Sequence, residues 1–289
     1  MSDAKLIWDA KAKIGEGPLW SQREQAIYWT DIKGQLLHRY GLDGSQQSWT
    51  MPDYIGWVVE RREKPGFVAG FRKAIAELTL SPFSITEAEK IEQALPDNRL
   101  NDAKVDRLGR IWFGTMDDGE RGPVGRFYRL DPDFSRHEVD QGYICSNGPT
   151  FSLDGRILYH TDSEAYEIYQ FDVESDGRIT NKRVFASFTR AEGSPDGMTT
   201  DAEGCLWVCL WQGWSIVRLR PDGSKDRTIP LPVSQVTSCT FAGDKLDRLF
   251  VTSARIGLTA EQLEKEPLAG ALFEIDPGVT GLPTQQFAG

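Results

Sequence analysis

The chain has 289 residues, a formal net charge of -10 at pH 7, 39% hydrophobic residues and a mean hydropathy of -0.42. That acidic balance argues against nucleic-acid binding, because phosphate contacts need a basic face. No apolar run approaches the ~20 residues of a membrane helix, and the polar Met1 to Lys5 segment lacks the basic-then-apolar order of a secretion signal.

The four cysteines are Cys145, Cys205, Cys209 and Cys239. Cys205 and Cys209 fall in one expected strand, ~13 Å apart, too far for a disulfide. All four therefore read as reduced thiols of a cytoplasmic protein. With three histidines and no Cys-x-x-Cys pair, a thiolate or imidazole zinc site is not expected.

Taken in chain order, Lys5-Leu6-Ile7-Trp8-Asp9 reads as an apolar strand. Next comes Ile14-Gly15-Glu16-Gly17-Pro18-Leu19-Trp20, then a polar turn and Ile27-Tyr28-Trp29-Thr30-Asp31. This arrangement recurs. Its aromatic anchors are Tyr28, Phe67, Trp112, Tyr159, Trp207 and Phe250, spaced by 39, 45, 47, 48 and 43 residues. Turns such as Asp106 to Arg110 and Asp201 to Gly204 precede the anchors, with the Asp and Gly that tight hairpins favour. A third strand follows each anchor, for example Leu36–Tyr40 and Ile216–Leu219. Periods of this length match a four-stranded propeller blade. The pattern predicts an all-β chain over residues 1–289: a six-bladed β-propeller in one domain, with the N-terminal strand completing the last blade. Short helices are expected over Thr86–Ala94 and Thr259–Glu266.

The anchors also serve as a ruler. Eleven or twelve residues before them stand Glu16, Gly56, Asn101, Asn147, Asp196 and Ser238. Inner strands of a propeller line its central channel, so these six positions converge on one mouth. Any one Asn-Gly or Asp-Gly dipeptide is more often a turn than a ligand. Turns, however, do not require a common phase, and four carboxylate or amide side chains share this one. Two carboxylates with two amides suit a divalent cation that prefers oxygen. Calcium, manganese, magnesium, zinc and iron(II) all satisfy that description. Glycine after Glu16, Asn147 and Asp196 lets the backbone bend there.

These residues resemble the regucalcin, gluconolactonase and luciferin-regenerating-enzyme family of six-bladed propellers, over nearly the whole chain. The likeness rests on Ile14 to Trp20, Arg99-Leu100-Asn101-Asp102-Ala103-Lys104-Val105-Asp106, Gly109 to Met116, Ser146-Asn147-Gly148-Pro149, Ser194-Pro195-Asp196-Gly197-Met198 and Thr237 to Phe241. Gly114 to Glu120 is most similar to bacterial aldonolactonases such as xylonolactonase. The resemblance implies one divalent metal held by Glu16, Asn147 and Asp196, and a sugar lactone held by Arg99 and Asn101. A further substrate-touching Glu of some relatives counts to Gly119 here, with Asp118 and Glu120 on either side. Glu120 is the candidate for that contact.

The chemistry expected is hydrolysis of an aldono-1,4- or 1,5-lactone to its aldonic acid. No Gly-x-Ser-x-Gly elbow occurs and Cys145 has no base beside it, which disfavours a covalent nucleophile. A metal can polarise the carbonyl and activate water, with Asp196 as ligand and general base. Asp102 is expected to hold Arg99 or pack behind it, and His160 to be structural. Trp57, Trp211 and Trp214 are placed near the funnel, with blade packing an equal alternative. Asp117 to Val124 and the stretch opened by Arg255-Ile256-Gly257-Leu258 are expected rim or lid segments. The expected partner is a small-molecule lactone, with no nucleic acid or membrane, and the chain is expected to be a monomer. Competing readings are a calcium-binding regulatory protein, an interaction scaffold, and an esterase or organophosphate hydrolase.

Overall fold

The computed structural model describes residues 4–289, and among them 24 strands and one helix are found. The strand β1 (Lys5–Trp8) is followed by the first blade, β2 (Gly15–Ser21), β3 (Ala26–Asp31), β4 (Leu36–Gly41) and β5 (Gln46–Thr50). The second is β6 (Ile55–Glu60), β7 (Phe67–Phe71), β8 (Ala74–Leu80) and β9 (Phe83–Lys90). The third is β10 (Asn98–Val105), β11 (Ile111–Asp117), β12 (Gly125–Leu130) and β13 (Arg136–Tyr143). The fourth is β14 (Ser146–Phe151), β15 (Ile157–Asp162), β16 (Glu167–Val173) and β17 (Ile179–Ser187). The fifth is β18 (Ser194–Thr200), β19 (Leu206–Trp211), β20 (Ser215–Leu219) and β21 (Lys225–Pro230). The sixth is β22 (Val236–Ala242), β23 (Arg248–Ser253), the helix α1 (Ala260–Lys265) and β24 (Leu272–Ile275).

Six four-stranded antiparallel sheets result, and β1 pairs with β24 to complete the last. The first strand of each blade touches those of its neighbours, β2 against β22 closing the ring. This is the six-bladed propeller that the repeat predicts. The strands sort by burial. The inner β2, β6 and β22 are nearly or wholly buried, whereas the outer β5 and β9 are mostly exposed.

Each blade interface carries its own apolar cluster, six in all. All six aromatic anchors are buried in them. A side chain such as Phe250, fully buried between the last and first blades, contributes roughly 1.5–3 kcal/mol. Blades three and five share a further device. Asp106 accepts from the indole of Trp112 at 2.8 Å and from Arg110 Nε at 2.6 Å. Asp201 accepts from the indole of Trp207 at 3.0 Å and from Arg218 Nε at 2.8 Å.

The helix expectation splits. Thr259 caps α1, with a reciprocal bond between its backbone and Gln262. Thr86–Ala94 is not helical: Thr86 to Lys90 lie in β9, paired against β8. Its run of Glu and Lys belongs to an outer strand, where charge discourages edge-to-edge association.

Candidate active site at the channel mouth

All six inner strands carry a register break at the same level: Glu16/Leu19, Ile55/Trp57, Leu100/Ala103, Asn147/Thr150, Pro195/Met198 and Val236/Cys239. Bulges re-aim side chains, and here they sit at the six positions the ruler picks out. Gly17 and Gly148 have φ of 54° and 41°, a left-handed backbone that glycine adopts without strain. Gly197 has no positive φ; a Cβ there would lie 2.3 Å from Ser238 Oγ, so close approach of the neighbouring blade requires it.

The bulges gather Glu16, Arg99, Asn101, Asp102, Asn147 and Asp196 at one end of the channel, every one of them buried. Burial raises the Glu16 carboxyl well above the usual range, and the nearby Asp196 and Asp102 charges push it further. Asp196 is likewise raised well above its usual range, by burial and then by Asp102. Neither carboxylate forms an ion pair among the described residues; Glu16 Oε2 only accepts from the Gly17 amide at 2.9 Å. Cys145 lies beside them with its thiol pushed up by burial. Its Sγ lies 3.5 Å from the Asn147 amide, and it packs against Met116, as a structural thiol would.

Of the two roles expected for Asp102, holding Arg99 or packing behind it, the structure fits the second. It does not hold Arg99. Its Oδ2 accepts from the Gly148 amide at 2.9 Å, so it fixes the backbone next to Asn147 across the blade boundary. Arg99 is held instead by Asp118, 2.8 Å from Nε, and Asp118 also meets Lys33 Nζ at 3.0 Å. Arg99 Nη1 donates to Asn101 Oδ1 at 2.5 Å. Asn101 Nδ2 donates to Asn147 Oδ1 at 2.7 Å and to the Ser146 carbonyl at 2.8 Å. Both amide hydrogens of Asn101 are therefore committed, which leaves it able only to accept from a ligand. Arg99 Nη2 has no protein partner among the described residues and is the free donor at the mouth.

Glu120 is exposed at the rim, on a loop that Arg121 ties down through Asp117 and Asp97. Partial burial of its carboxyl raises its pKa, and Glu164 adds to the shift. Its charge in turn acts on Asp196 and Cys145, so it overlooks the same mouth. Trp57 is buried in the core between blades two and three and is a packing residue. Trp211 ends β19 and is half-buried, and Trp214 is exposed in the turn that follows. His160 is structural: its Nε2 meets Ser146 Oγ at 2.9 Å, its ring stacks on Phe127, and burial lowers its pKa far below the usual value.

A cavity of about 940 Å³ lies beyond these residues along the channel. It shares Asp102 and Gly17 with the mouth and reaches Arg107, Asp154 and the segment Leu282 to Gln285. None of Glu16, Arg99, Asn101, Asn147 or Asp196 lines it. Its charged walls include Asp106 and Arg110, which serve the turn described above. The mouth, with its buried carboxylates that have no ion-pair partner, is the better candidate for chemistry.

The donor set at the mouth fits a divalent cation. Burial raises the proton affinity of both carboxylates, the Asp196 charge adds to that of Glu16, neither has a cation paired to it, and the Asn147 amide oxygen lies among the same bulges. Among the described residues no three His, Cys, Asp or Glu side chains form a metal group by themselves; the third donor here is an amide. Lys33, Asp118 as holder of Arg99, and Ser163, which accepts from Asn147 at 2.8 Å, escape the sequence reading. Ser163 had a signal: it follows Asp162 where the first blade has Ile32 after Asp31.

Fold and site together define a six-bladed propeller with a buried acidic and amide mouth fit for a small ligand. The signature of the SMP-30/Gluconolactonase/LRE-like region matches residues 14–255, and the chain belongs to that family. It is 36% identical over 290 residues to an L-arabinolactonase of Azospirillum brasilense, covering 99% of this chain and 96% of the other. It is also 36% identical over 300 residues to a regucalcin of Danio rerio, covering both fully. A luciferin-regenerating enzyme superposes with a TM-score of 0.93 at 29% identity, over 99% of each chain. Among the described residues no helix is long and apolar enough to cross a membrane.

Proposed function

We propose that this chain is an aldonolactonase that opens a neutral sugar lactone to its aldonic acid with the help of one divalent metal. The observation that carries the reading is the pair of buried, unpaired carboxylates Glu16 and Asp196 at one bulge level with Asn147. A scaffold has no use for such a pair, because burying uncompensated charge is costly. The match to an L-arabinolactonase over nearly the whole chain supports the same reaction class.

Glu16, Asn147 and Asp196 would hold the metal. Once bound, it supplies a Lewis acid for the lactone carbonyl and lowers the pKa of water. The chain does the rest. Arg99 Nη2 donates to a ring or hydroxyl oxygen, and the second lone pair of Asn101 Oδ1 accepts from a substrate hydroxyl. Asp196 takes the proton of the attacking water as its oxygen bonds to the carbonyl carbon. When the bond from that carbon to the ring oxygen breaks, Asp196 returns the proton to the ring oxygen. The acidic mouth, with Glu120 and Glu164 at its rim, favours a neutral substrate and repels the carboxylate product. A ring closed within one chain and four buried thiols support a monomer in a reducing cytoplasm.

The test is turnover of sugar lactones by protein freed of metal and reloaded. A second reading, calcium binding without turnover, is favoured by the equal identity to regucalcin. A protein that binds calcium and opens no lactone supports that second reading.

A further inference from the structure

The structure assigns Ser163 the task of fixing which end of the Asn147 amide faces the channel. The assignment rests on the proposed role of Asn147 as a metal ligand. At ordinary precision the oxygen and nitrogen of an amide are told apart by their hydrogen bonds, and here a directional chain of such bonds decides. Arg99 Nη1 donates to Asn101 Oδ1 at 2.5 Å, and Asn101 Nδ2 donates to Asn147 Oδ1 at 2.7 Å. Asn147 Nδ2 donates to Ser163 Oγ at 2.8 Å, and Ser163 Oγ donates to the Pro195 carbonyl at 2.7 Å. A guanidinium can only donate and a carbonyl can only accept. The polarity is therefore set from both ends.

The Ser163 hydroxyl is the last adjustable link. Its hydrogen is committed to Pro195, so its oxygen must accept, and only the nitrogen of Asn147 can satisfy it. A flipped Asn147 would set its oxygen against that lone pair and its nitrogen against Asn101 Nδ2. Ser163 is itself fixed: its amide donates to the Cys145 carbonyl at 3.0 Å, and its carbonyl accepts from Ser194 Oγ. Pro195 immediately precedes Asp196, so one buried hydroxyl joins the side chain of one proposed ligand to the backbone of another. Ser163 touches neither of the substrate-holding side chains and is a positioning residue. Partners of this kind, which orient metal ligands, are typically worth 10–100-fold in metal affinity.

The test is calorimetric titration of metal-free protein with Mn2+ and, separately, Ca2+, with circular dichroism to confirm folding. Ser163→Ala is expected to bind more weakly by roughly 10–100-fold, while Ser163→Thr, which keeps the hydroxyl, stays near wild type. In an Asn147→Ala background Ser163→Ala should add no further loss, because Ser163 acts through Asn147. If Asn147→Ala weakens binding but Ser163→Ala binds like wild type, the assignment of Ser163 is overturned. It is overturned also if Ser163→Thr loses as much as Ser163→Ala, or if the two alanine effects add. If Asn147→Ala itself binds both metals like wild type, the ligand assignment fails first and the role of Ser163 falls with it.

Discussion

Asp118 places one oxygen 2.8 Å from Nε of Arg99, and that same oxygen receives Lys33 Nζ at 3.0 Å. Lys33 comes from the turn after β3 and Asp118 from the loop after β11, so a carboxylate of blade three joins blade one across the mouth. The pair orients the guanidinium so that Nη2 is left for a ligand. Asp118→Ala should raise KM for the lactone about 10-fold, the worth of one charge-assisted bond, with a smaller change in kcat. Steady-state kinetics check this; an unchanged KM would separate Arg99 from substrate binding.

The raised carboxyls at the mouth make a prediction about stability without metal. Glu16 and Asp196 hold their protons in the folded state above the ordinary values of 4.5 and 3.8. The unfolded chain releases them first, so metal-free folding loses stability as pH rises from the ordinary carboxylate range through the raised folded range. Metal-free Asp196→Asn should therefore melt higher than metal-free wild type at pH 7, by at least about 2 °C, and the gap should close near about pH 4. Melting curves in chelator across that range decide it. A variant that melts lower throughout would mean that the carboxylate stabilises the apo fold.

Asp201 is fully buried between the indole of Trp207 and the guanidinium of Arg218. Asp201→Ala strands these two donors and the Glu203 and Cys205 amides that also bond its carboxylate, and is expected to cost roughly 3–5 kcal/mol, read as a lower denaturant midpoint. Arg218 keeps Glu203 and Asp226 as partners, 2.6 and 3.1 Å away. A loss well under about 1 kcal/mol would mean that those two carry the load.

Much of the fold was legible because six blades must each bury an aromatic at the same depth, and Tyr28 to Phe250 mark that depth along the chain. The channel positions followed from the same phase. Contacts that cross the mouth were not legible. Asp102 stands three residues from Arg99 and Asp118 nineteen, and both carry a carboxylate; only the chain path puts the distant Asp118 against the guanidinium and turns Asp102 toward Gly148. Thr86–Ala94 misled because its period fits a helix in isolation, while β8 offers it an open edge. Ser163 departs from Ile32 at the matching place of the first blade, but that signal does not tell its role. Its importance depends on which atom of Asn147 it meets, and a residue letter does not record that.

The most direct measurement is hydrolysis of a panel of pentono- and hexonolactones by protein stripped with chelator, then reloaded with Ca, Mn, Mg, Zn or Fe(II). Asp196→Ala and Asn147→Ala are assayed alongside. The expected result is turnover of at least one lactone that vanishes on stripping, returns with a divalent metal, and falls by roughly 100-fold or more in both variants. Full activity in stripped protein, or in both variants, would contradict the metal-assisted site at Glu16, Asn147 and Asp196.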